Sequence, residues 1–296
     1  MRGGDALSPI PHPTRRATPL TRDHDDAKLP PPLSADIPFS VGCTKPILLA
    51  GSMIAGIHLY GQIPLSSLLN ATYTQNFDSL AISGTGHSWV NNTTIPGWYL
   101  SRATYNANDG GSSSVSAYSY GSSGSTERAL GSVAGNSATT YLGVRFVNDT
   151  ATTIYPGFNL SFVGEQWRKA NNVASHRLEF GYKISSLPLT NPADIGFSSV
   201  PALDFVSPVF GATAASALDG NLAGNRLLLE ESVVFNQLLE PGEEIMFRWA
   251  DPDNANADHG LAIDNLRIEV PEGNIGAGIS VSLILAAAWT VRRKST

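Results

Sequence analysis

Six short runs with period-two alternation or β-branched character constrain this chain most. They are Thr139–Asn148, Thr152–Val163, Arg177–Ile184, Arg226–Phe235, Glu244–Ala250 and Leu261–Val270. Alternation at period two puts successive side chains on opposite faces of a strand, so each run can bury one face and wet the other. Pro156-Gly157, Pro241-Gly242 and Asp251-Pro252 punctuate them as turns. Residues 72–270 hold no sustained helical period; Ala215–Leu222 offers a short helical turn at most. Short strands at regular spacing predict an all-β fold, an antiparallel sandwich. The tract Asp109–Ser125 is rich in Gly and Ser, yet Tyr118 and Tyr120 alternate with small residues, so part of it reads as a strand.

About 200 residues in this stretch suffice for one domain with a sizeable core. The core must hold without disulfides, because the single cysteine, Cys43, lies outside it. Residues 72–270 carry 10 Lys and Arg against 19 Asp and Glu. An acidic balance with no basic cluster beyond Arg168-Lys169 argues against a nucleic-acid partner.

The flanks differ from this domain. Residues 1–40 are rich in Pro, Arg and Asp and lack apolar periodicity, which reads as disorder or as a leader ahead of the true translation start. Residues 41–71 contain an apolar stretch from Pro46 to about Leu59 behind Lys45, the order of a secretory signal segment. Residues 271–296 hold Pro271-Glu272-Gly273, then an uncharged apolar run from Ile275 to Val291, then Arg292, Arg293 and Lys294. About 17 apolar residues sit near the lower limit for a helix crossing a hydrocarbon core of about 30 Å. The basic triplet then acts as a stop on the cytoplasmic side. A buried core helix is the plainer alternative, but such a helix would carry polar positions at helical spacing.

A Pro-Glu motif, a short apolar span and a basic end resemble the PEP-CTERM sorting signal of bacterial surface proteins, with Gly273 where that family has a second Pro. The resemblance implies export, membrane attachment through a C-terminal transmembrane helix, and an exosortase-like sorting enzyme as partner. The domain itself resembles extracellular jelly-roll modules. The residues that carry this likeness are Tyr73–Leu80 near its start, Pro96-Gly97-Trp98-Tyr99, and His259–Val270 at its end. In such modules the last strand often pairs beside the first, and some hold a structural Ca²⁺ between acids near the two chain ends.

Strict alternation in the last run places Asp264 on the face of Leu266 and Ile268. A carboxylate there must be paired, hydrogen-bonded or metal-bound. Asp78 and Asp264 are therefore candidate Ca²⁺ ligands, with a backbone cap as the alternative for Asp264. The loop Asp251–Gly260 offers Asp251, Asp253 and Asp258 as further oxygen ligands, or simply a polar turn.

For a polysaccharide ligand the candidate stacking rings are Trp89, Trp98 and Tyr99, with Trp89 expected to be exposed. There is no Gly-x-Ser-x-Gly elbow and no His-Glu-x-x-His motif, and the adjacent pairs Glu230-Glu231 and Glu243-Glu244 point to opposite faces of a strand. Glu165, Glu179 and Glu231 are left as acids that only the fold could bring together. The expectation is a non-enzymatic protein of the cell surface or extracellular matrix with a structural or adhesive role. A carbohydrate-binding module is the alternative, ahead of a glycan-active enzyme.

Overall fold

A computed structural model describes residues 62–68, 71–152 and 155–271. Residues 1–40, most of the signal-like segment 41–71 (41–61, 69 and 70), the motif residues Glu272 and Gly273, the apolar run and Arg292, Arg293 and Lys294 lie outside the described residues. The described part of the signal-like segment belongs to the sandwich, with Ile63–Pro64 paired to Phe146 and Val147 and with Leu65 and Leu68 in the core. Among the described residues no helix is long and apolar enough to cross a membrane.

The described chain is all-β, with two short 3₁₀ turns, Leu65–Leu68 and Pro201–Leu203. Two sheets form. In the first, strands run in the order Arg226–Leu239, Tyr155–Lys169, Gly260–Glu269, Ala129–Val133, Ser116–Tyr120, Thr104–Asn108 and His87–Ser88. Thr72–Gln75 pairs with the later half of Gly260–Glu269, so the last long strand lies beside an early one as expected. The second sheet runs Trp98–Leu100, Thr140–Val147, Glu244–Asp251, Arg177–Ser185, with Ser198–Ser199 and Phe205–Val206 on its far edge. The six longest strands alternate between the sheets in chain order, so each link between them crosses from one sheet to the other.

The sheets close over an aromatic core. Phe162 meets Trp249 edge-on at 5.3 Å between ring centroids, and Phe158 meets Phe247 at 6.0 Å. Each pair spans the two sheets, which is what fixes them face to face. The expected runs match the observed strands closely, with one large exception. From Tyr155 onward the run expected over Thr152–Val163 lies in a strand that continues to Lys169, and the extension was hidden because Gly164, Glu165, Gln166 and Trp167 are all buried. A stretch buried on both faces shows no alternation.

The final strand departs from strict alternation. Asp264 pairs with Val163 and Arg267 with Ser161, so Asn265 and Leu266 together oppose Phe162. Asn265 sits in the left-handed region at φ 51°. This bulge turns the strand by one residue. Leu261 and Ile263 before it, and Leu266 and Ile268 after it, all enter the core between the sheets. Asp264 thereby leaves the face of Leu266 and Ile268, where strict alternation had put it. It joins Ala262, which packs with Tyr118, Tyr120 and Trp167 on the outer side of the first sheet.

Candidate metal centre

Glu127, Glu165 and Asp264 converge on that outer side, each offering one oxygen within 4.8 Å of the others. Glu165 is directly in line with Ala262 across the ladder, and Asp264 is two residues further along the same face. Glu127 arrives from the loop after Ser116–Tyr120. Glu165 and Asp264 are closed off from solvent, at 0 % and 2 % exposure, and Glu127 is half-buried.

Each carboxylate is held by one neutral donor. Trp167 Nε1 donates to Glu165 Oε2 (2.8 Å), Asn265 Nδ2 to Asp264 Oδ2 (2.7 Å), and Asn221 Nδ2 to Glu127 Oε2 (2.6 Å). The other oxygen of each, Glu165 Oε1, Asp264 Oδ1 and Glu127 Oε1, is buried with no hydrogen-bond partner. Burial drives the Glu165 carboxyl up to about 7, against the Trp167 bond and with help from the Glu127 charge. Burial followed by the Glu165 charge drives Asp264 up to about 8.

Buried, orphaned carboxylate oxygens are costly unless a cation satisfies them or the group takes up a proton. Ca²⁺ binds oxygens at about 2.3–2.6 Å, so ligands on opposite sides of it stand roughly 4.6–5.2 Å apart. The three-carboxylate spacing fits that span. An all-oxygen donor set suits Ca²⁺ or Mg²⁺ rather than Zn²⁺. The outer amide and indole donors fix the carboxylate planes, as supporting groups do around metals.

Asp78, expected beside Asp264, is exposed. It accepts from the backbone N–H of Arg128 (2.9 Å) and from Asn76 Nδ2 (2.6 Å), and its charge adds to the field that raises Asp264. It thus anchors the residue after Glu127 rather than joining the three. The sequence offered Glu165 only as an acid in search of neighbours. Its companions there, Glu179 and Glu231, lie on other strands outside the cluster.

The loop acids Asp251, Asp253 and Asp258 do not converge. Asp251 is buried against Ser132 Oγ (2.5 Å), and burial holds its carboxyl well above the usual range. Asp253 accepts from the backbone of Ser137 (2.6 Å). Asp258 accepts from Asn254 and pairs with His176 Nδ1 at 3.2 Å. They pin the loop to three different neighbours, the polar-turn reading of this segment. Behind it His176 and His259 rings lie 4.4 Å apart. His259 Nδ1 accepts from Ala170 N–H (2.9 Å), leaving its proton on Nε2 toward Ala174 O.

The three candidate stacking rings are packed inside. Trp89 is 5 % exposed, with Nε1 bonded to Asn91 Oδ1 and its ring edge-on to Tyr105. Trp98 is fully buried, stacked on Trp249 and bonded to Tyr73 OH. Tyr99 is buried beside Leu189 and Met246, under the Arg145 guanidinium. Aromatic rings bury large areas, and these three lie in the core clusters. At one end of the sandwich a cleft of about 250 Å³ is lined by Ser113, Asn136, Arg168, Asp253 and Asn256 among others.

No protein-family model matches the chain, and no curated protein matches it. Among solved structures it is similar to the K1 cleaved adhesin domain of Lys-gingipain from Porphyromonas gingivalis W83. That likeness has 16% identity over 68% of this chain and 99% of that one, at a TM-score of 0.34. A carbohydrate-binding module specific for non-crystalline cellulose aligns at 14% identity over 64% and 98% of the two chains, TM-score 0.32. The family 11 carbohydrate-binding module from Clostridium thermocellum aligns at 11% identity over 64% and 97%, TM-score 0.27. Likeness this loose carries no function to this chain.

Proposed function

We propose that this chain is a surface or matrix protein whose sandwich is a Ca²⁺-locked structural or adhesive module. The observation that carries the cation is the convergence of Glu127, Glu165 and Asp264 with one unpartnered buried oxygen apiece. The cation would tie the final strand, the long strand Tyr155–Lys169 and the loop bearing Glu127 into one unit. It neutralises charge that the fold otherwise buries at a cost. Export, membrane attachment and sorting by an exosortase-like enzyme rest on the apolar segments and the Pro271-Glu272-Gly273 tail. The closure of Glu165 and Asp264 from solvent supports a non-catalytic reading, because a glycosidic bond could not reach them.

The test is calorimetric melting of the protein after chelation and after Ca²⁺ is restored. A higher melting temperature with Ca²⁺, lost in Glu165→Gln/Asp264→Asn, supports the reading; identical curves would sink it. Saccharide binding is a second reading, favoured by the cleft that Asp253 and Asn256 line together with apolar residues such as Val115 and Val133. It predicts retardation on a polysaccharide gel that Asp253→Ala abolishes and Trp89→Phe leaves intact.

A further inference from the structure

The first sheet ends in an open edge. Arg226–Leu239 pairs with Tyr155–Lys169 on one side, and among the described residues no strand pairs with its other side. Gln166 N donates to Asn225 O (2.8 Å), which makes Arg226–Glu165 a non-hydrogen-bonded pair of the ladder. The backbone N–H and C=O groups of Arg226, Leu228 and Glu230 therefore face outward from the sheet. Further along, the N–H of Asn236 is taken by Tyr182 OH (2.7 Å), so the open stretch is the first part of the strand.

Apart from the charges of Arg226, Glu230 and Glu231, this stretch lacks the usual protection of an edge. It contains no Pro and no Lys, and Leu227 and Leu228 are 55 % and 61 % exposed. Its sequence, Arg226-Leu227-Leu228-Leu229-Glu230, is self-complementary when read antiparallel. Arg226 and Glu230 are both exposed, and neither has an ion pair among the described residues.

We propose that this edge pairs with the same edge of a second copy, antiparallel, about a two-fold axis through Leu228. Arg226 then lies opposite Glu230 of the second copy at both ends, and leucine lies opposite leucine between them. Opposite charges across a strand pair stabilise it and like charges oppose it. Moving the axis to Glu230 would set two glutamates face to face, so charge selects the register. The contact is isologous, as two-fold interfaces are. It joins two first sheets into one continuous sheet. A five-residue ladder is smaller than a standard interface, so the pairing is weak in dilute solution. It strengthens where chains are concentrated on a surface.

The test uses the full chain in detergent micelles with Cys43→Ser, leaving no native thiol. Leu228→Cys sits on the axis, where a hydrogen-bonded antiparallel pair brings Cα atoms to about 5.5 Å, within disulfide reach. Oxidation is expected to give a covalent dimer from Leu228→Cys and little from Ser232→Cys, which is exposed on the same strand but off the axis. Equal yields from the two would overturn the proposal and point to chance encounter or another occupant. Sedimentation supplies the second arm. Arg226→Glu alone and Glu230→Arg alone are expected to lower the dimer fraction several-fold, and the two together to restore it. A dimer indifferent to both reversals, or one the double swap fails to restore, would overturn the register.

Discussion

Glu165 and Asp264 stand on neighbouring strands with their carboxylates in one enclosed site, and each keeps one oxygen without a hydrogen-bond partner. Two buried acids in contact are tolerated only when protonated or neutralised.

Calcium should therefore act on stability. At a free concentration about 100 times the dissociation constant, linkage gives about 2.7 kcal/mol. For a domain of about 200 residues that is a rise of roughly 5–10 °C in melting temperature. Differential scanning calorimetry with Ca²⁺ and with chelator checks this.

The metal-free protein should weaken as pH rises. Glu165 is raised to about 7 and Asp264 to about 8 in the fold, above their unfolded values. A raised carboxyl contributes stability fully present below its unfolded value and lost as pH climbs through its folded one. Urea midpoints of chelated protein should fall between about pH 4 and 8, and Asp264→Asn should flatten that fall. A midpoint that holds steady across the window in chelated wild type would count against enclosed acids.

His259 imposes the opposite slope at lower pH. Burial, with the neighbouring His176 adding to it, holds its imidazole down at about 4. A depressed histidine contributes stability present above its unfolded value and lost as pH falls through its folded one. The loss should run from about pH 6.5 to 4. An NMR titration of the His259 ring should show its midpoint near 4, and a midpoint near 6.5 would contradict the packed geometry.

The bulge at Asn265 should be specific. A β-branched residue at φ 51° is strained, so Asn265→Val should cost on the order of 1–3 kcal/mol in urea unfolding. Asn265→Gly accepts the dihedral but gives up the bond to Asp264 Oδ2. It should retain most stability yet weaken Ca²⁺ binding, read by isothermal titration calorimetry.

Trp98→Ala should remove about 3–5 kcal/mol, because a fully buried ring stacked on Trp249 leaves a cavity that the sandwich cannot close. A surface sugar platform would lose ligand and keep its stability. Chemical denaturation separates the two.

Much of the fold was legible in the residue order. Glu244–Ala250 was expected to be a strand and Glu244–Asp251 is one, because Ile245, Phe247 and Trp249 share the core face. Tyr118 and Tyr120 marked Ser116–Tyr120 inside a tract whose composition otherwise reads as linker. The site was legible only in fragments. Asp264 was singled out as an acid in an apolar strand, but its partners Glu127 and Glu165 lie far from it along the chain. Trp89 was read as exposed from its polar neighbours, yet Asn91 is the residue that lets its indole be buried, by accepting the Nε1 proton.

By itself the sequence determined most of the long strands and the turn at Pro241-Gly242, and it required the core to hold without disulfides; Pro156-Gly157, read as a turn, lies inside the strand Tyr155–Lys169. These follow from local alternation and composition, which each short segment carries within itself. Only the tertiary structure decided which side chains meet. One left-handed residue, Asn265, moved Asp264 from one face of the sheet to the other, and strand order then set Glu165 beside it. Register and pairing depend on the packing of the whole sandwich, so no single segment could announce them.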